Sequence, residues 1–285
     1  MPKIALITDS TAHIAQEEKD KYLIELVPVN VMFEGKVYRD GVDLTASQAY
    51  EFLEKNPDDW ATSAPSPGDF LAAYKKQIAK GAKEIICLAI GGSISATWNS
   101  ARMAKEIMAK EMPEVKIEVI DSGTIAVGET LLIKRIGQMI EQEESFETVV
   151  KEAENLKTKI RVFLSLETIR YIYRSGRIPE VASKIGGLLP LKPIITAHGG
   201  KLHFAGATMS KDKSKEKILK ILEKEFDSNL PEIGLMHING LAEAEELKQK
   251  IYSLLPNAQV FISEFSPIIG YAMGKGTVGI GFFAK

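Results

Sequence analysis

The sequence predicts an α/β protein in two parts. Residues 1–158 read as an N-terminal α/β domain with a parallel sheet, and residues 159–285 as a C-terminal α+β domain with a mixed or antiparallel sheet. Three observations lead there. The first half alternates short Val-, Ile- and Leu-rich runs with amphipathic helical stretches, the pattern of βαβ units with right-handed crossovers. The second half mixes a hairpin signal with helices. The length, 285 residues, is about twice that of a common domain. The polar Lys157-Thr158-Lys159 marks the expected boundary. No Gly/Ser-rich linker follows it, so the two parts are expected to pack tightly.

The first-half strands are Ile4–Thr8, Leu26–Phe33, Glu84–Ile90 and Ile117–Ile120. They are apolar on both faces, as strands covered on both sides should be. Thr45-Ala46-Ser47-Gln48 has capping-box spacing and opens a helix to Lys55. Ser66-Pro67-Gly68-Asp69 pairs an N-cap serine with proline at the first helical position, and that helix runs to Ala79. Further helices are expected over Ser95–Met108, Ile125–Ile140 and Phe146–Leu156.

In the second half, a strand is expected over Arg161–Leu166 and a short helix over Glu167–Arg174, stopped by Ser175-Gly176. Strands Leu191–Thr196 and Leu202–Ala207 flank a Gly199-Gly200 turn. Helix Lys213–Phe226, strand Ile233–Ile238, helix Ala242–Leu254, strand Gln259–Ser263 and strand Thr277–Phe283 complete the chain.

Composition narrows the function classes. A chain that is 45% hydrophobic and 26% charged is ordinary folded protein rather than a disordered or fibrous one. A net charge of −2 gives no global field for nucleic acid, so no nucleic-acid partner is expected, and at most transient membrane contact. The single cysteine, Cys87, forms no internal disulfide. The opening run Ile4–Ile7 is too short for a signal peptide, and no stretch reaches the ~20 apolar residues of a membrane span. The expected location is the cytoplasm.

Ligands of open α/β sheets bind outside the carboxyl ends of the strands. Four hydroxyl-rich loops belong there: Thr8–Thr11, Ala61–Pro67, Gly91–Thr97 and Asp121–Thr124. Hydroxyls and helix-start N–H groups suit an anion or a carboxyl head group, although local capping accounts for each loop taken singly. Gly91-Gly92-Ser93 matches neither nucleotide-loop pattern. Ser95 lacks the nucleophile elbow of a hydrolase. Asp9, Asp40, Asp43 and Asp121 form a magnesium cluster on one reading; the commoner role is to bond N–H groups of the following turns. No metal site is expected, because His13, His198, His203 and His237 show no zinc spacing.

Two cationic stretches remain. Lys211, Lys213, Lys215, Lys217 and Lys220 read as a solvated helix face. Arg170, Arg174 and Arg177 sit on or beside a helix-ending turn, next to the apolar run 185–191. Arg174 either offsets a helix dipole or joins a cationic patch at the mouth of an apolar pocket.

These loops, in this order, resemble the DegV family, the fatty-acid-binding proteins of bacterial fatty acid kinase. The resemblance covers the whole chain. It rests on Thr8–Ala12, Thr62–Phe70, Ser95–Ala101, Val119–Ser122, Ser175–Ile178, Leu191–Ile194 and Gly274–Gly279. It implies an α/β domain and an α+β domain with a fatty-acid tunnel between them, and a long-chain ligand such as palmitate with no cofactor. The family's head-group threonine maps onto Thr62 and its serine onto Ser95. The resemblance also implies a non-enzyme carrier that presents its acid to the ATP-binding subunit of a fatty acid kinase. Arg174 and Arg177, by their place beside the apolar run, are the candidate partner-docking residues. Two alternatives stay open: a metal- or serine-dependent hydrolase or phosphatase using Asp9, Asp121 and Ser95, and an acyl-chain-sensing regulator.

The chain departs from the family pattern in the tail. Ala272 stands where a histidine usually helps hold the carboxyl group, and Lys275 replaces a proline. Gly91-Gly92 replace two serines, and Thr208-Met209-Ser210 stand in the region of a lost arginine. Tyr271 and Lys275 are the candidate replacement donors. Ile172, Ile185, Leu188 and Ile194 are the candidate tunnel-shaping residues.

Overall fold

The computed structural model describes residues 4–56, 59–178 and 191–285. Along the chain, β1 (Ile4–Asp9) leads through a single 3-10 turn at Ser10–Ala12 to α1 (Gln16–Lys21), β2 (Glu25–Val27), β3 (Asn30–Phe33) and β4 (Lys36–Arg39). Next come α2 (Ala46–Lys55), β5 (Ala61–Ser63), α3 (Pro67–Ala79), β6 (Glu84–Ala89), α4 (Thr97–Glu111), β7 (Lys116–Asp121), α5 (Val127–Glu141) and α6 (Phe146–Lys159). The chain then enters β8 (Ile160–Ser165), α7 (Arg170–Ser175), β9 (Lys192–His198), β10 (Lys201–Thr208), α8 (Lys211–Glu225) and β11 (Glu232–His237). It ends through α9 (Leu241–Leu254), β12 (Gln259–Glu264), α10 (Pro267–Met273) and β13 (Val278–Phe283).

Three sheets result. The first is parallel, in the order β2-β1-β6-β7. The second is mixed, in the order β10-β9-β8-β13-β11-β12, and only its β11–β12 pair is parallel. The third is a small antiparallel sheet, β4-β3-β5. The expected α/β class and the parallel and mixed sheets are therefore present.

The third sheet is a correction. The run Leu26–Phe33 is expected as one parallel strand. It breaks at Pro28, which has no N–H to give to a ladder, so β2 stays in the parallel sheet and β3 leaves it. A tight turn then pairs β3 with β4. Glu34 and Gly35 both have positive φ, at 48° and 73°, the backbone that matches strand twist in a two-residue hairpin. The loop Ala61–Ser63 becomes β5, with Thr62 opposite Val31.

Helix α5 lies between the two larger sheets, touching β1 and β6 on one side and β8, β11 and β13 on the other. A helix covered on both sides is apolar nearly all round, and Leu131, Leu132, Ile133 and Ile136 are all buried. Two glycines allow the close approach. A Cβ on Gly128 would stand 2.7 Å from Val162 Cγ2, and one on Gly234 2.1 Å from Val127 Cγ2. One continuous core consequently runs from Leu6 and Leu88 through α5 to Val162 and Leu164.

On α8 the expected solvated lysine face holds at Lys213, Lys217 and Lys220, which are exposed, and is corrected at Lys215. Lys215 is buried, and it pairs with Asp212 at 2.9 Å and Glu243 at 3.0 Å. It ties α8 to α9 instead of facing water.

Candidate functional site

The carboxyl ends of β1 and β6, together with β5, α7 and α10, surround a cavity of about 240 Å³. Its polar wall carries the hydroxyls of Thr11, Thr62, Ser63 and Ser95. Its apolar walls include Ile90, Ile125, Ile172, Leu202, Ile269 and Met273. Arg177 is the one charged residue lining it among the described residues.

Both residues assigned to a head group reach this cavity, and both are half-buried. Thr62 is carried by β5, so its position depends on the small sheet. Ser95 sits in the turn before α4. Its N–H is held by Gly91 O at 3.1 Å, and its hydroxyl accepts the Thr97 N–H at 3.3 Å and lies 2.8 Å from Thr97 Oγ1. The described polar neighbour of Ser95 is thus another hydroxyl.

The aspartates do what turn chemistry requires. Asp9 accepts the N–H groups of Thr11 at 3.0 Å and Ile90 at 2.9 Å. Asp121 accepts those of Gly92 and Gly123, each at 2.9 Å. Asp43 is paired with Arg39. Among the described residues no group of three or more His, Cys, Asp and Glu side chains stands ready for a metal ion.

Beneath Thr11 lies a fully buried carboxyl pair. Glu129, on the first turn of α5, accepts Thr8 Oγ1 at 3.1 Å and Thr11 Oγ1 at 3.0 Å. The Thr11 hydroxyl also lies against Asp9. Burial pushes the Glu129 carboxyl well above its ordinary range, and the neighbouring Asp9 charge pushes it further. Glu129 therefore keeps its proton and shares it with Asp9. No sequence signal marks Glu129, because a lone glutamate in a helix has no local motif.

The wall formed by α10 is also absent from the sequence reading, although Ser266-Pro267 repeats the start signal used at Ser66-Pro67. Ser266 caps the helix by accepting the Ile268 N–H at 3.3 Å. From α10, Tyr271 and Ala272 line the cavity. Tyr271 is stacked on Trp60, with ring centroids 6.2 Å apart. Of the two replacement donors, Lys275 points elsewhere and pairs with Glu54 at 2.6 Å.

The arginines separate. The Arg174 guanidinium lies over the Tyr271 ring at 4.7 Å and the Tyr171 ring at 5.6 Å. Arg177 is exposed, donates to Ser175 O at 2.6 Å, and lines a second, open cleft with Lys201 and His203, which shares Ile94, Arg177 and Leu202 with the cavity. Of the expected tunnel residues, Ile172 lines the cavity, whereas Ile194 belongs to the core on the other face of the mixed sheet. Ile185 and Leu188 lie outside the described residues.

Known proteins agree with this architecture. Residues 3–285 match the family model described as DegV, an uncharacterised protein family. A DegV domain-containing protein of Clostridium acetobutylicum is 30% identical over 286 residues, covering all of both chains. The structure of a stearic-acid-binding protein from Eubacterium ventriosum is 27% identical with a TM-score of 0.89, covering 100% of this chain and 99% of that one. The fatty acid kinase B3 protein of Streptococcus pneumoniae, solved with linoleic acid, shares the fold at 24% identity and a TM-score of 0.87, over 99% of each chain. No helix among the described residues is long and apolar enough to cross a membrane. With a family match over residues 3–285 and a relative 30% identical over its whole length, the chain belongs to the DegV family.

Proposed function

We propose that this protein is a carrier of long-chain fatty acids. The observation that carries the reading is the cavity itself, with hydroxyls on one wall and aliphatic side chains on the others. The acyl chain supplies the affinity. Each buried CH₂ contributes about 0.8 kcal/mol, so ~14 methylenes offer on the order of 11 kcal/mol before ordering costs. Thr62 and Ser95 hold the carboxyl group. Burial raises the acid's pKa, and the two hydroxyls, by donating to the carboxylate, offset part of that rise; held by neutral donors, the head group stays available for phosphoryl transfer. The cavity is smaller than the ~300–1,000 Å³ usual for ligand pockets, so its walls part as a long chain enters.

The carrier presents the acid to an ATP-dependent kinase partner that makes the acyl phosphate, and catalysis belongs to that partner. Arg177 is the docking residue best placed for this, since it is exposed and lines both the cavity and the open cleft. Arg174 stands behind it, held between two tyrosines. Residues 1–158 supply the head-group loops, and residues 159–285 close the chain tunnel.

Organic extraction of the purified protein, followed by mass spectrometry, tests the carrier reading. A stoichiometric fatty acid of about C16 is expected, retained less by Thr62→Ala and Ser95→Ala. An empty extract with no uptake of added palmitate would sink it. Arg177→Ala is expected to keep palmitate binding and lower kinase-dependent acyl-phosphate formation at least about tenfold, the loss of one charge-assisted contact. Unchanged turnover would remove Arg177 from the docking surface.

A further inference from the structure

One buried carboxylate lies outside the site just described and touches three of the segments that build it. Asp40 follows β4, and its backbone N–H donates to Val29 O at 2.9 Å. Its side chain accepts the Ser266 hydroxyl at 2.8 Å, across 226 residues of sequence. It also accepts the hydroxyl of Ser10, which in turn takes the Val29 N–H at 3.1 Å. Ser10 precedes Thr11, and Val29 and Thr11 line the cavity. Ser266 caps α10, whose Ile268, Ile269, Tyr271, Ala272 and Met273 form a wall of it. A second tie runs beside the first, from Tyr50 on α2 to Phe265 O at 2.8 Å.

We propose that Asp40 is the positioning residue of the cavity: its ionised carboxylate latches the start of α10 to the β1 and β3 segments and so holds the ligand wall closed. The proposal rests on the carrier reading for its ligand and on geometry alone for the latch. A carboxylate accepts from two hydroxyls at once, whereas a carboxylic acid carries a proton on one of those sites. Protonation therefore weakens one of the two ties, and α10 loosens.

The titratable groups around the latch are few. Burial, with a smaller push from the Asp9 charge on β1, raises the Asp40 carboxyl to about 6. The Tyr50 hydroxyl is raised by burial and stays neutral. Glu264 at the end of β12 acts on Tyr50. His13 is kept neutral by burial, with the Lys19 and His237 charges adding to that. On the outer side, Asp40 lines a cleft with His13, Lys19, Asp20, Glu25, Lys76 and Lys80. Glu25 is paired with Lys76 and Lys80 there. The Asp40 carboxyl, raised to about 6, lies inside the window between pH 7.5 and 5.

The test uses the full chain and two independent readouts. The first is amide hydrogen exchange of α10, corrected for intrinsic rates, at pH 7.5 and pH 5. The second is binding of a fluorescent polyene fatty acid and of its methyl ester, whose head group does not titrate. In the wild type, Ile269 and Gly270 should exchange roughly tenfold faster at pH 5, and ester affinity should fall by a similar factor, the loss of one hydrogen bond to a charged group. Asp40→Asn should show the acid behaviour at both pH values. Ser266→Gly, which keeps most of the capping energy, should do the same. Equal exchange in the wild type and Asp40→Asn at both pH values overturns the latch. Altered exchange without binding of either probe leaves the latch standing and removes the carrier reading.

Discussion

Glu129→Ala is expected to destabilise the protein by about 3–5 kcal/mol, the cost of breaking a buried charge network by removing one partner. The alanine leaves the Thr8 hydroxyl without its acceptor and the fully buried Asp9 without the proton it shares. Glu129→Gln keeps the shape, still accepts from Thr8 and donates an N–H to Asp9. It should cost less than ~1 kcal/mol, as volume-conserving changes do. The pH dependence has a definite sign. The folded-state pKa of Glu129 lies well above its unfolded value, and burial is the main cause. The folded chain therefore holds the proton more tightly. That contribution is complete below the unfolded pKa near 4.5 and is lost as pH rises through the folded value. Denaturant unfolding at pH 6 and pH 9 should show the wild type losing stability relative to Glu129→Gln at the higher pH. A Glu129→Ala variant within ~1 kcal/mol of the wild type would show that the pair is not a structural element.

Ala272→Phe is expected to remove most ligand affinity while leaving the fold intact. Ala272 is half-buried on α10 and faces the cavity. A ring there occupies space that acyl methylenes would fill. Excluding about four methylenes removes ~3 kcal/mol, or roughly 200-fold in Kd. A chain four carbons shorter should recover most of that loss, so the two ligands should exchange rank between wild type and variant. A fluorescence competition series from C10 to C18 would read this directly. If Ala272→Phe weakens all chain lengths equally, the head group and not the chain contacts α10.

How far the site could be read in advance depended on distance along the chain. The loops that carry Thr62 and Ser95 were legible because each is rich in hydroxyls with its own turn and capping chemistry, whereas the two residues themselves were singled out by the family resemblance. Asp9 and Asp121 were legible for the same reason: each carboxylate bonds backbone within a turn it starts. Glu129, Asp40 and the α10 wall were not. Glu129 meets Thr8 across 121 residues and Asp40 meets Ser266 across 226, and no local pattern encodes a partner at that distance. The small sheet went unread because Leu26–Phe33 is apolar apart from Asn30, and only Pro28 separates its two halves; the positive-φ turn at Glu34-Gly35 then folds the second half back as a hairpin. Lys215 went unread because its acidic partner Glu243 comes from another helix.

The sequence by itself determined the α/β class, most element positions and the loops that meet at the strand ends. These follow from periodicity, capping and turn chemistry, all of which act over a few residues. Tertiary structure decided which loops face one cavity, that α10 forms a wall of it, and that Arg177 lines it while Arg174 packs over two tyrosine rings. Those outcomes depend on how α5 packs between two sheets, and packing sums many small contacts between residues far apart in the chain.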